Sequence, residues 1–274
     1  MNLRAIAAIV RKDLKVVSQN KGVTLPILIA PLITFVLLPW LVILVPSLVN
    51  IAGVSASDLN EIQALIQRMP AGFQKELAGY ESSQIFIVFF LVYMLAPFFM
   101  IIPLMVSSVI AADSFAGEKE RKTMEALLYT PTTDRELFVG KLLSGWLAAI
   151  TVALIGFVVY VVSANAAGWT QMHRIFFPNL MWLVMITWVV PALPGLGLGV
   201  MVIVSARAQG FQDANQIGGL VVLPVLLLVF GQVAGVMYFS VTLVFLLGVV
   251  IWLLDGLLIW LGSRSFQRGR LLGA

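Results

Sequence analysis

Five uncharged stretches, each long enough to cross a bilayer, dictate what this chain can fold into. They cover residues 22–57, 82–112, 142–173, 175–206 and 214–254. A helix needs about 20 apolar residues to span the hydrocarbon layer, where every backbone polar group must be satisfied within the protein. The last run accommodates two crossings with a tight turn near Gly235–Ser240. Six spans are therefore expected, at 24–48, 84–111, 142–163, 180–204, 216–236 and 241–262. Composition agrees, at 61% hydrophobic and 11% charged with a mean hydropathy of +1.03, where soluble domains carry roughly 25% charged residues. The fold class is an all-α integral membrane protein.

The absence of cysteine removes disulfides, thiolate metal sites and cysteine nucleophiles, and His173 is the sole histidine. No catalytic and no metal-ligating constellation is predicted. The net charge of +4 sits at the membrane flanks, which favours lipid headgroups over nucleic acid as partners. Met1 is expected to be the mature start, with the first span an uncleaved anchor.

Lys and Arg decide the orientation. The N-terminal segment, the 113–141 loop, the 205–215 loop and the C-terminal tail carry 14 of them, and the opposite side carries Arg68, Lys75 and Arg174. Both termini are expected in the cytoplasm, in a bacterial or archaeal inner membrane. Residues 1–22 read as an interfacial amphipathic helix. Leu3, Ile6, Val10, Leu14 and Val17 recur at spacings of three and four, and Arg4, Arg11, Lys15 and Ser18 follow one residue on. The apolar face would lie in the acyl chains, or alternatively on the protein's own loops. On the outer side, residues 51–82 form a helical cap. Leu59, Ile62, Ile66 and Met69 share a face, the run breaks at Pro70–Gly72, and Phe73 and Leu77 continue an apolar side.

Three features of the spans are candidates for a translocation path or hinge. Pro191, Pro194 and Gly195 lie in PALPGLGLG, where missing N–H donors and flexible glycines predict a kink or break. Such a break can line a cavity, and the same small residues can instead permit close helix packing. Asp255 is a carboxylate inside the sixth span, a costly placement that calls for a partner. Pairing with a basic residue is the preferred reading, with hydrogen bonding or protonation as alternatives. Gln232 is a weaker polar candidate in the fifth span.

Between the second and third spans the pattern changes abruptly. Asp113–Lys141 holds five basic and six acidic residues, whereas 82–112 and 142–173 hold none. Gly117–Tyr129 is rich in helix formers, with Glu118–Lys122 and Arg121–Glu125 at i and i+4, each pair worth about 0.2–0.5 kcal/mol. Met124, Leu127 and Leu128 add an apolar patch, and Thr130–Pro131 ends the helix. Thr133 and Glu136 read as a capping box that opens a helix running into the third span. An ordered helix–turn–helix of this kind suits contact with a soluble partner.

The segment FAGEKERKTMEALLYTPTTDRELFVGKLL resembles the signature of type-2 ABC transporter permeases. The residues carrying the resemblance are Glu118, Glu120, Arg121, Thr123, Glu125, Leu127, Leu128, Thr130, Pro131, Glu136, Leu137, Gly140 and Lys141. The resemblance implies an exporter permease working as a pair, with an identical or related second permease and two separate ATP-binding subunits. It also implies a coupling helix at Glu118–Tyr129 within a cytoplasmic coupling loop, 113–141. Glu118, Glu120, Arg121, Thr123, Glu125, Leu127, Leu128 and Arg135 are then the expected ATPase contacts. ATP and Mg belong to the partner, since Gly140–Lys141 is followed by Leu142 and no phosphate-binding loop occurs. Because 216–262 is used up by two crossings, without re-entrant helices, the chain looks more like the branch that exports small solutes, sodium or drugs. The rival readings are an ion-driven secondary transporter, which predicts paired intramembrane charges or two similar halves, and a lipid-directed membrane enzyme, which predicts clustered acids or histidines.

Overall fold

A computed structural model describes residues 2–44, 64, 67, 69–123 and 132–265. Among them the chain is helical, without a strand, and six helices are long and apolar enough to cross a membrane. These are Ile27–Leu44, Gln84–Glu120, Asp134–Met172, Leu180–Arg207, Phe211–Val233 and Val241–Gly262, called here the first to sixth spans. The second and fourth are the most enclosed, and they pack closely on each other and on the third. The first, fifth and sixth lie outside this core and keep leucine- and phenylalanine-rich faces exposed, as a lipid environment allows.

Side-chain donors fasten the core where helical regularity lapses. The second span widens by one residue per turn at Phe89–Met94. There the Leu91 carbonyl accepts from the Tyr160 hydroxyl and the Val92 carbonyl accepts from Trp182 Nε1 at 2.7 Å. Both donors sit in an aromatic cluster with Phe35, Phe99, Phe157 and Phe177. The fourth span breaks where its prolines predict. Leu180–Val184 runs through a widened turn at Met185–Val189, the chain turns at Val190–Ala192, and a new helix spans Leu193–Arg207. Trp146 Nε1 of the third span donates to the Pro191 carbonyl at 2.9 Å, satisfying an acceptor at the break. Glycine serves close packing in the same span. A Cβ on Gly197 would stand 2.9 Å from the Leu104 carbonyl oxygen, so the second and fourth spans touch backbone to backbone here.

Helix α1, Leu3–Gln19, begins at an Asn2 cap, and Asn20 caps the helix that follows by accepting from the Gly22 N–H. It lies against the foot of the third span and buries Ile6, Ile9 and Asp13. Gly140 permits that approach, since a Cβ there would be 2.9 Å from Ile9 Cγ2. The apolar side is thereby divided. Ile6 packs on protein while Leu3 stays 77% exposed, beside exposed Arg4, Arg11 and Lys15. At the opposite end α2, Ala71–Leu77, buries Phe73 and Leu77, with the Phe73 ring against Phe89, Tyr93 and Tyr238, and Tyr93 donates to Glu76. Leu59, Ile62 and Ile66 of the cap fall outside the described residues.

Candidate functional site

The charged island folds onto the chain more than its sequence suggests. The second-span helix does not end at 111 but runs through Glu120, passing a widened turn at Ala112–Gly117. Backbone hydrogen bonding needs no apolar side chains once a helix has left the lipid, so the helix continues into charged sequence. It stops at Arg121–Lys122, where Lys122 takes a left-handed φ of 57°. The third-span helix starts as its spacing predicts. Thr133 Oγ1 accepts from the Glu136 N–H at 3.3 Å, and the Thr133 N–H donates to Glu136 Oε2 at 3.0 Å. The other oxygen of Glu136 accepts from the Asn2 N–H at 2.5 Å, tying the start of α1 to the same cap.

The expected pairing of Glu118 with Lys122 does not form. Glu118 is 6% exposed, and its two oxygens accept from Lys141 Nζ and Lys12 Nζ, each at 2.5 Å. Neighbours on one helix face lost to partners from two other helices because burial strengthens charge pairing and removes competing water. Lys141 is 1% exposed and also donates to the Ser114 carbonyl at 2.7 Å and to Ser114 Oγ at 3.0 Å. Its ammonium lies 5.4 Å from the Phe115 ring centre. Lys12 also contacts Asp13 at 2.9 Å, and Asp13 in turn accepts from Ser114 Oγ and Ser144 Oγ. Two cations, two carboxylates and two hydroxyls from α1, the second span and the third span thus make one balanced cluster. Burial works against the charge on Lys12, but Glu118 and Asp13 outweigh it and hold its pKa above the ordinary lysine value.

Around this cluster the other predicted residues separate into groups. Arg121 turns back along its own helix to Asp113, with Nη1 3.0 Å from Oδ1. Glu120 Oε2 accepts from the backbone N–H of Phe211, at the foot of the fifth span, at 2.9 Å. Thr123 Oγ1 donates to the Glu118 carbonyl, and Arg135 is exposed on the first turn of the third span. Glu125, Leu127 and Leu128 lie outside the described residues. Asn20, Gly22, Asp113, Glu120, Arg121, Phe211 and Gln212 line an open cleft of about 430 Å³ beside these contacts.

The intramembrane candidates are not gathered at one point. Pro191 lies within the fourth-span break and Pro194 is in the first turn of the helix after it, and Gly195 faces Asp255, whose carboxylate a Cβ at that glycine would strike. The pairing expected for Asp255 is not made. It is 3% exposed, and neither oxygen has a hydrogen-bond partner among the described residues. The sequence explains why, since no Lys or Arg occurs in 175–206 or 208–262. Gln232 is fully buried in the fifth span, with both amide atoms likewise unpartnered among the described residues. Reading the sequence alone passed over Lys12, Asp13, Ser114 and Ser144. One signal was present, because Asp13 is the only acid before Asp58.

No curated protein and no solved structure matches the chain. A family model described as ABC-2 family transporter protein matches residues 7–254. That match takes in most of α1, the charged cluster, the island and the broken fourth span together. The chain is a multi-pass membrane protein of the ABC-2 transporter family.

Proposed function

We propose that this chain is the permease of an ABC exporter, forming the path for a small solute and taking its energy from a separate ATP-binding subunit. The buried cluster supports this reading. It fuses α1, the second-span foot and the third-span foot into a single base, from which the island's exposed residues project. A push on that projection is transmitted to the spans as a displacement, because cluster and core are close-packed. Lys119, Glu120, Arg121, Lys122, Thr123 and Arg135 present the exposed surface, and 124–131 continue it in sequence. In this division Glu118 stiffens the base from inside, while Arg121, Thr123, Glu125, Leu127, Leu128 and Arg135 meet the ATPase. Both termini face the cytoplasm, and a second permease, identical or related, completes the path across the inner membrane. The chain supplies no ATP site of its own; ATP and Mg are held by the partner.

The broken fourth span and Asp255, unpartnered among the described residues, give the path a hinge and a polar point. Nucleotide-driven movement of the base then changes which end of the bundle is open, with coupling set by contacts that differ between the two states. The test is affinity purification in mild detergent from native membranes. The chain is expected to retain a separate ATPase, and Arg135→Glu with Lys122→Glu to release it. Retention of the ATPase by the doubly reversed variant, or solute movement by the purified chain without any ATPase, would overturn the proposal.

A further inference from the structure

The contact between Glu120 and the loop before the fifth span carries a role that the exposed island does not require. Glu120 Oε2 accepts from the N–H of Phe211, the first residue of the helix Phe211–Gly218 that opens this span. Beside it, Lys119 Nζ donates to the Ala208 carbonyl at 3.4 Å. Glu120 and Phe211 lie 91 positions apart in sequence, so the contact fastens one loop to another rather than closing a local turn. The loop does not need Glu120 for its own shape. Asp213, in the first turn, already accepts from the Gln209 N–H at 3.0 Å. Gly210 is built around the carboxylate instead. A Cβ there would stand 2.5 Å from Glu120 Oε2, although the backbone, with φ −168°, is extended and open to any residue.

We propose that Glu120 is a positioning residue that carries the island's movement to the fifth span, as Glu118 and Lys141 carry it to the third. The island then drives two outputs. One is a packed base, and the other is a span on the outside of the core, joined to the island by a backbone cap that can turn with it. The fifth span holds the buried Gln232, unpartnered among the described residues, so the movement delivered to its foot reaches a polar point in the membrane.

This rests on the permease reading, and the test has an arm that does not. The chain has no cysteine, so Thr123→Cys with Gln212→Cys places spin labels at these two exposed sites alone. In lipid nanodiscs without nucleotide, the labels are expected to give one narrow distance. Glu120→Gln and, independently, Gly210→Ala should broaden it, while Glu120→Asp should keep part of the narrow component. An unchanged distribution in both Glu120→Gln and Gly210→Ala would overturn the link. With the co-purified ATPase, ATP should shift the distance from a second label pair, Gln216→Cys with Thr151→Cys. In Gly210→Ala that shift should vanish while ATP hydrolysis stays within about twofold of the parent, and Glu120→Gln should abolish the shift as well. A shift that persists would overturn the transmission role, and failure of any ATPase to co-purify would sink the permease reading while the nucleotide-free arm still decides the link.

Discussion

Removing Lys141 should expose how much of this molecule depends on one buried ion pair. In Lys141→Met the stem is replaced by a chain of similar volume, and Glu118, Ser114 Oγ and the Ser114 carbonyl each lose a donor. Breaking a buried pair from one side costs about 3–5 kcal/mol when the remaining charge is left alone. Here Glu118 keeps Lys12, whose side chain is 37% exposed, so about 2–3 kcal/mol is the better figure. At roughly 2–4 °C per kcal/mol for a chain of this size, the unfolding midpoint should fall by about 5–10 °C. The tryptophans allow that midpoint to be read from intrinsic fluorescence in detergent, at fixed scan rate because membrane-protein unfolding is seldom reversible. Adding Glu118→Gln removes the carboxylate that has lost one of its two cations, so the double variant should lose less than the sum of the two single substitutions. The reasoning is refuted if Lys141→Met unfolds within about 1 °C of the parent, or if the two substitutions simply add.

Other perturbations probe different links. Gly156→Ala would drive its Cβ into the Phe35 ring; overpacking of this kind costs about 1–3 kcal/mol, and the midpoint should drop accordingly. Trp146→Phe leaves the Pro191 carbonyl without its donor, at a cost of about 1–3 kcal/mol that should appear as the same kind of decrease. Asp255→Asn should leave the midpoint unchanged or raise it, because the carboxylate has no partner to lose among the described residues, while lowering transport; a marked destabilisation would show that a partner exists. For Lys12 the folded pKa lies above the ordinary 10.5, so its contribution is fully present below that value and disappears only as the pH rises through the higher folded one. The midpoint difference between the parent and Lys12→Met should therefore stay constant across the neutral and mildly alkaline range; a difference shrinking well below pH 10.5 would contradict the pairing.

Much of the fold was legible because membrane burial leaves coarse marks. The six spans, the Thr133–Glu136 cap, the proline break at Val190–Ala192 and the turn before Val241 all follow from hydropathy and local backbone chemistry. The site was less legible, for a physical reason. Glu118 has a plausible partner four residues away in Lys122, yet it binds Lys141, 23 residues on, and Lys12, 106 residues back. Spacing rules describe neighbours on one helix, whereas this cluster is decided by which helices meet at the foot of the bundle. The same limit concealed the cap that Glu120 places on Phe211, and it led the sequence to promise Asp255 a partner that none of the described residues supplies.

The hydrogen bonds from Tyr160 and Trp182 to the carbonyls of Leu91 and Val92 restrict how this bundle can move. A span held to its neighbours by aliphatic contacts alone could slide lengthwise like a piston, trading one greasy contact for the next. This one is pinned at two backbone oxygens to two different neighbours, and sliding would leave all four polar groups stranded in hydrocarbon. The second, third and fourth helices must therefore rock about that level as a unit, with the larger excursions occurring at the ends.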